Sequence, residues 1–447
     1  MPEWATLKEC RLFDCLSEKG KAAFLPPGIF YWLGRAKKEA TINATIGSAY
    51  GPFSEIGVPS EGQTTFYLPG LMQFFNEMAP NELFPYAPIL GVPEFRSAWR
   101  DWILEKLKGS GRKLDGLLSS PVATPGVTGA LAIAGELFLS PGETLLLPDR
   151  YWENYDNVFC SNVGARITTY PFYDGGDFNV AAMKTAVDES LASQGKAVVL
   201  LNFPNNPTGF MPSVHTAERI AAALEESAAE SGKWVIVLCD DAYEGYIYTE
   251  DCLRYSIFAE LAGKRGVLAV KLDGISKEFL FYGGRLACIT FAVPEPCVGK
   301  KDLLAKELEE KVGAIIRSTI SNCSDPVQQM IRRALAGRMG LLLAERQKVV
   351  DVLRRRWEVY NREMAKADLK YVRPLASNSG FFSSVDLVSA KANDVADLLM
   401  KEYKVGVVPS ESGGQNSLRI TFCSVVESDI PRLVSSVFEA AKRLSRT

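Results

Sequence analysis

Lys277 closes the stretch Asp273-Gly274-Ile275-Ser276-Lys277, and Arg285 follows behind Gly283-Gly284. The preceding run Val267-Leu268-Ala269-Val270-Lys271-Leu272 reads as a buried strand. The lysine therefore falls just past a strand end, where open α/β sheets hold their ligands. A lysine among apolar walls and beside a second cation is disfavoured as an ammonium, and its free amine can condense with an aldehyde as a Schiff base. The planar fork of Arg285 suits a phosphate. A lysine and an arginine in a loop are also what a solvated face looks like, so the assignment needs companions elsewhere in the chain.

Gly126-Val127-Thr128-Gly129 opens an apolar helix and offers backbone N–H groups and a hydroxyl to an anion, though it is equally a helix start with a turn glycine. Tyr151-Trp152-Glu153-Asn154-Tyr155 follows the apolar run Leu145-Leu146-Leu147, so an aromatic ring there could lie flat on a planar ligand or simply pack. Asn202-Phe203-Pro204-Asn205-Asn206-Pro207-Thr208-Gly209 follows another buried strand and is dense in turn formers. Trp234-Val235-Ile236-Val237-Leu238-Cys239 runs into Asp240-Asp241-Ala242-Tyr243, a strand ending in carboxylates. Arg419, in the alternating Ser417-Leu418-Arg419-Ile420-Thr421, could clasp a carboxylate with its fork, or be solvated on an edge strand.

The chain of 447 residues has room for two or three domains with large cores. A formal charge of −3 gives no basic field for nucleic acid or an anionic membrane surface, which favours small-molecule chemistry. The nine cysteines form no Cys-x-x-Cys pair and read as reduced residues of a cytoplasmic protein. The one histidine, His215, is expected to start a helix, and neither a metal cluster nor a Ser-His-Asp triad is expected. No run approaches the length of a membrane span.

The elements that must position these residues follow from periodicity. Helices are expected at Pro93 to Leu107, from Gly126 to near Pro141, at Asp302 to Ile316 and over Pro326 to Lys366. Strands are expected at Thr41 to Gly47, Thr144 to Leu147, Arg166 to Tyr170, Ala197 to Phe203, Trp234 to Cys239, Val267 to Leu272 and Ala287 to Val293. This alternation implies an α/β fold whose mostly parallel sheet is covered on both faces. Residues 51–85, rich in Gly, Pro and aromatics, read as a long ordered loop or insertion.

Taken in order from Gly47 to Arg419, these segments resemble the class I/II aminotransferases, and in particular the aspartate aminotransferase subgroup. The resemblance implies fold type I, with a large domain carrying a mostly parallel seven-stranded sheet and a smaller α/β domain. Its domains would be an arm at 1–50 with part of the small domain, a cofactor-binding domain at 51–330, and a small domain with its linking helix at 331–447. It implies pyridoxal 5'-phosphate as cofactor and transamination between an amino acid and a 2-oxo acid through a Lys277 Schiff base. Asp240 would hold a proton on the pyridine nitrogen, and Tyr243 and Asn206 would meet the phenolate oxygen. Val127, Thr128, Ser276 and Arg285 would hold the phosphate, and Trp152 would stack on the ring. Arg419 would bind the substrate α-carboxylate, with Gly47, Trp152 and Asn206 beside it.

Tyr86-Ala87-Pro88-Ile89-Leu90-Gly91 resembles a segment whose tyrosine reaches the phosphate in a neighbouring subunit, implying a homodimer with shared sites. Arg317, in Arg317-Ser318-Thr319-Ile320-Ser321-Asn322, resembles the residue that pairs across subunits with the side chain of an acidic substrate. Aspartate or glutamate is thus the expected donor, with aromatic amino acids as the alternative. Two departures stand out: Tyr155 replaces the subgroup's usual histidine, and Gly274 replaces a phosphate-binding serine for which Ser276 would substitute. A lyase or decarboxylase would use the same Lys277, Asp240 and Arg419. A non-enzymatic regulator would need an N-terminal helix-turn-helix that the first fifty residues do not suggest.

Overall fold

In the computed structural model, which describes residues 4–23, 28–59, 62–411 and 414–445, the alternating pattern becomes one seven-stranded sheet. Its strands are β1 (Val122–Thr124), β2 (Thr144–Pro148), β3 (Arg166–Tyr170), β4 (Lys196–Asn202), β5 (Trp234–Asp240), β6 (Val267–Gly274) and β7 (Ala287–Ala292). The spatial order is β1-β7-β6-β5-β4-β2-β3. β2 to β6 run parallel, and β7 is antiparallel to both β6 and β1.

The helices are α1 (Gly28–Glu39), α2 (Pro93–Leu107), α3 (Gly126–Phe138), α4 (Val180–Gln194), α5 (Val214–Ser231), α6 (Ile275–Glu278), α7 (Lys301–Thr319), α8 (Asp325–Gly337), α9 (Met339–Met364), α10 (Ala392–Leu398) and α11 (Ile430–Leu444), joined by shorter helical turns. β4 and β5 are apolar at nearly every position because both faces of the sheet are covered. Val199, Leu201, Val235 and Val237 enter a core shared with α2, α4 and α5, while Val198, Leu200, Ile236 and Leu238 enter one shared with α3 and α7. Burying one such side chain stabilises by about 1.5–3 kcal/mol, and a one-residue slip would exchange the two sets, so register is strongly specified. α2 presents Phe95, Trp99, Ile103 and Leu107 at four-residue spacing to the first core. His215 sits in the first turn of α5, where Ser213 Oγ accepts the Thr216 N–H at 3.1 Å.

A second, antiparallel sheet has β8 (Val372–Pro374), β9 (Ser383–Leu387), β10 (Val408–Ser410) and β11 (Ser417–Ile420) in the order β8-β9-β11-β10. Its own core gathers Trp32 and Ala36 of α1, Tyr360 and Met364 of α9, and Leu433, Val437 and Ala441 of α11.

Three local expectations change. Of the strand expected at Thr41 to Gly47, only Ile42–Asn43 pairs, with Val405–Gly406. Asn43 Oδ1 then takes the Thr45 N–H at 3.1 Å and its hydroxyl at 2.6 Å, so a side-chain turn replaces the ladder. The helix expected over Pro326 to Lys366 is divided into α8 and α9 at Gly337-Arg338, where Arg338 leaves helical geometry at φ −145° and ψ 23°. Residues 51–85 are a series of short elements whose Phe53, Phe66, Leu71 and Phe74 are buried in the first core. They are fastened by the buried Arg356, which donates to Tyr50 O at 2.8 Å, Cys423 O at 2.6 Å and Glu55 Oε2 at 2.8 Å.

Candidate active site

Strands β4, β5 and β6 end side by side, with Asn202 opposite Asp240 and Asp240 opposite Leu272. Beyond that edge lies a cleft of about 500 Å³ lined by Val127, Thr128, Trp152, Asn206, Asp240, Tyr243, Ser276, Lys277 and Arg285, all singled out from the sequence. The same cleft is lined by Tyr155, Asn202, Ala242 and Gly274.

One end of the cleft is cationic. Gly126 begins α3 at φ +78°, and a Cβ there would collide with the Arg285 guanidinium, so glycine lets the arginine lie against the helix start. Arg285 Nη1 donates to Ser276 Oγ at 3.1 Å. Arginine, hydroxyls and the first amides of α3 together make a site for a dianion.

At the floor, Asp240 is buried and both its carboxylate oxygens accept hydrogen bonds. Tyr155 OH donates to Oδ2 at 2.6 Å and the Ala242 N–H to Oδ1 at 3.1 Å. Burial pushes the Asp240 carboxyl above its ordinary range, while these two donors and Lys277 pull it back. Burial pushes Lys277 down to about 8, with Asp240 opposing the fall and Arg285 adding to it. Its Nζ lies 5.3 Å from the centre of the Tyr243 ring. The Trp152 indole stands edge-on to Tyr155, 81° between planes and 5.5 Å between centres.

A hydrogen-bonded line leads from Asp240 to Arg419. Asn202 Nδ2 donates to Asp240 O at 2.8 Å, and its Oδ1 accepts the Asn206 N–H at 2.7 Å. Arg419 Nη1 then reaches Asn206 Oδ1 at 3.4 Å, and Nη2 reaches Thr45 O at 3.4 Å. Arg419 is buried, with Phe382 stacked 4.7 Å from its guanidinium carbon. Burial lowers its affinity for its proton, opposed by Tyr243 and Glu153.

Two residues stand apart, and a third lies off the wall. Tyr86 is 89% exposed, and Arg317 is exposed in the last turn of α7, donating to Ser321 Oγ at 2.5 Å. Gly47 is two residues past the Thr45 carbonyl that meets Arg419, next to the Phe382 ring.

Behind the cleft lies a cluster the sequence did not reveal. Lys106 Nζ bridges Glu244 at 2.8 Å, Asp273 at 3.1 Å and Glu278 at 3.0 Å, filling the acidic trio that is otherwise spaced for a metal ion. Lys271 Nζ pairs with Asp241 at 2.5 Å and Glu244 at 2.9 Å. Asp241 is therefore a buried member of this network; burial pushes its carboxyl up to about 7 against the pull of Lys271. The cluster joins α2 to the neighbours of Asp240 and Lys277 in sequence, which fixes both segments from below.

The family model for aminotransferase class I and II matches residues 56–437. The chain is 26% identical to aromatic-amino-acid aminotransferase 2 of Thermococcus litoralis, over 80% of this chain and 84% of that protein. It is 27% identical to the mitochondrial aspartate aminotransferase of Schizosaccharomyces pombe over 58% of this chain, which spans 55% of that relative. An aminotransferase from Anaerococcus prevotii superposes with a TM-score of 0.80 at 24% identity, covering 95% of this chain and 99% of that one, a likeness of fold. Among the described residues, no helix is long and apolar enough to cross a membrane. With fold type I neighbours and a family match over most of its length, the chain belongs to the class I and II aminotransferases, a pyridoxal-phosphate-dependent family, and stands with its aspartate-aminotransferase-like members.

Proposed function

We propose that this chain binds pyridoxal 5'-phosphate in the cleft and transfers the amino group of an α-amino acid to a 2-oxo acid. The observation that carries the reading is a half-buried lysine of lowered basicity in one cleft with Asp240, Trp152 and Arg285. The donor set fits the cofactor. Arg285, Ser276, Thr128 and the Val127 amide suit its phosphate, Trp152 its flat ring, Asp240 its ring nitrogen, and Asn206 and Tyr243 its phenolate oxygen. Gly126 keeps the phosphate end open where a side chain would fill it.

When bound, the cofactor supplies an aldehyde carbon for the substrate nitrogen and a protonated ring that draws electrons from the substrate α-carbon. Lys277 is the anchoring amine. As a free amine, its Nζ would take the substrate α-proton as base and give it back as acid. Asp240 holds the ring proton, and Tyr155 holds Asp240. Arg419 and Asn206 grip the α-carboxylate, with the backbone at Gly47 closing the far side.

In this reading the chain works as a homodimer. The exposure of Tyr86 and Arg317 supports sites completed by a second copy, with Tyr86 at the neighbour's phosphate and Arg317 at the side chain of its substrate. Aspartate or glutamate would be the donor through Arg317, with aromatic amino acids the other class. Residues 51–330 would form the cofactor-binding part, and residues 1–50 with 331–447 the smaller part. Mixing the holoenzyme with glutamate and a panel of amino acids tests the function. Conversion of the cofactor's absorption to that of its amine form, with release of the 2-oxo acid, is expected. Consumption of donor with carbon dioxide or a side-chain fragment as product, and no 2-oxo acid, would mean a lyase.

A further inference from the structure

Beside Arg419, a pocket that shares Trp152 and Asn206 with the cleft holds a charge that the proposed chemistry leaves unused. Glu153 and Arg419 line one pocket together with Trp152, Asn206, Ser384 and Ile29. Neither charge is well satisfied. The two bonds of the Arg419 guanidinium are each 3.4 Å long, and its buried Nε has no partner among the described residues. The Glu153 carboxylate forms no hydrogen bond or ion pair with any described residue, Arg419 included. The first turn of α1 lies over it, for a Cβ on Gly28 would stand 2.9 Å from Glu153 Oε2. The pocket is thus a roofed space with a cation on one wall and, on another, a carboxylate that bonds to no described residue.

A substrate carboxylate seated on Arg419 would share that space with Glu153. Two anions beside one guanidinium in a partly desolvated pocket repel, and the cheaper state is the one in which the resident carboxylate takes a proton. We propose that Glu153 belongs to the substrate's carboxylate site, where as a neutral acid it donates a hydrogen bond to the carboxylate docked on Arg419. This rests on the aminotransferase reading of the cleft. The proton comes from solvent and goes to a Glu153 carboxylate oxygen, and no bond of the substrate changes. Binding one carboxylate therefore draws in up to one proton.

The groups facing Glu153 are compatible with this. Burial pushes its carboxyl up, Arg419 opposes, and Asp156, in the helical turn that follows, adds to the rise. Tyr151, two residues before, is a neutral phenol that donates to Asp156 at 3.2 Å. The N-terminal turn of α1 contributes partial positive charge from above and so opposes the rise as Arg419 does.

The test is calorimetric titration of the holoenzyme with 3-phenylpropanoate and with maleate, unreactive carboxylates, in buffers of differing ionisation enthalpy across about two pH units either side of neutrality. The wild type should bind more weakly as pH rises, by up to about tenfold per unit, with proton uptake approaching one per ligand. Glu153→Gln should keep the cofactor's absorption band and lose both the slope and that proton. The band itself reports protonation at Lys277, so any share from that nitrogen is subtracted. A uniform change in affinity with an unchanged proton count would overturn the proposal and leave Glu153 as a cap on α1. Failure of the wild type to bind either carboxylate would overturn the substrate reading of the cleft, and the role of Glu153 with it.

Discussion

The hydroxyl of Tyr155 donates to Asp240 Oδ2 at 2.6 Å, deep under the cleft. Burial and the neighbouring carboxylate drive the Tyr155 phenol well above its ordinary range, so it is a neutral donor at every pH an enzyme meets. The sequence marks this position as a departure, a tyrosine where a histidine is usual, but a phenol three residues past Trp152 reaches the same carboxylate without titrating.

Removing that donor should cost turnover more than cofactor binding. A hydrogen bond to a buried charged group is worth about 1.5–3 kcal/mol, so Tyr155→Phe should lower kcat by about ten- to a hundredfold. Cofactor affinity, set largely by Arg285 and the start of α3, should change little. Equilibrium titration with pyridoxal phosphate beside steady-state kinetics separates the two, and an unchanged kcat would leave the Tyr155 bond a packing detail.

The lowered basicity of Lys277 gives a pH prediction. A folded pKa of about 8 makes the free amine scarcer below that pH and dominant above it. The rate at which apoenzyme captures pyridoxal phosphate covalently should rise with pH through that value and then level off. At neutral pH the free-amine fraction exceeds that of an ordinary lysine by on the order of a hundredfold. Stopped-flow absorbance checks this, and a rate still climbing towards the ordinary lysine range would mean that burial does not depress this amine.

Lys106 should matter for stability out of proportion to its distance from the chemistry. Its ammonium is bonded to three buried carboxylates. Breaking such a network by removing one partner costs about 3–5 kcal/mol, because the charges left behind remain buried. Lys106→Met should shift the denaturant midpoint down accordingly. A shift near zero would indicate that water or protonation replaces the lysine.

Arg317 separates the two donor classes. Arg317→Leu should lower kcat/KM for aspartate or glutamate by about a hundredfold or more and hardly affect phenylalanine, since a desolvated bidentate pair is lost only with acidic side chains. Equal losses for both classes would assign Arg317 to the fold or the interface.

The fold was legible where period and burial agree. β4 and β5 are nearly continuous apolar runs, and β6 is one broken by Lys271, because both faces are covered, and their ends placed Asn206, Asp240 and Lys277 at one edge. Thr41 to Gly47 alternates like a strand, yet the Asn43 side chain captures Thr45 and stops pairing after two residues, a competition that periodicity does not register. Asn202 was hidden as the last residue of a strand, and only its register against Asp240 explains its bond to the Asp240 carbonyl. The ionic cluster draws Lys106 from α2 and Lys271 from the middle of β6, residues far apart in sequence with no shared spacing. Lysine within an apolar strand was the signal available, and its partners became visible only in three dimensions.

Lys277 is the residue proposed to carry the cofactor. Borohydride treatment of the holoenzyme, followed by peptide mass mapping, should place a reduced, stable pyridoxyl group on the peptide containing Lys277. Lys277→Ala should still bind pyridoxal phosphate through its phosphate end yet give no reducible adduct and no turnover. A borohydride-fixed adduct persisting in Lys277→Ala, or mapping to another lysine in the wild type, would place the cofactor on a different amine and remove Lys277 from this role.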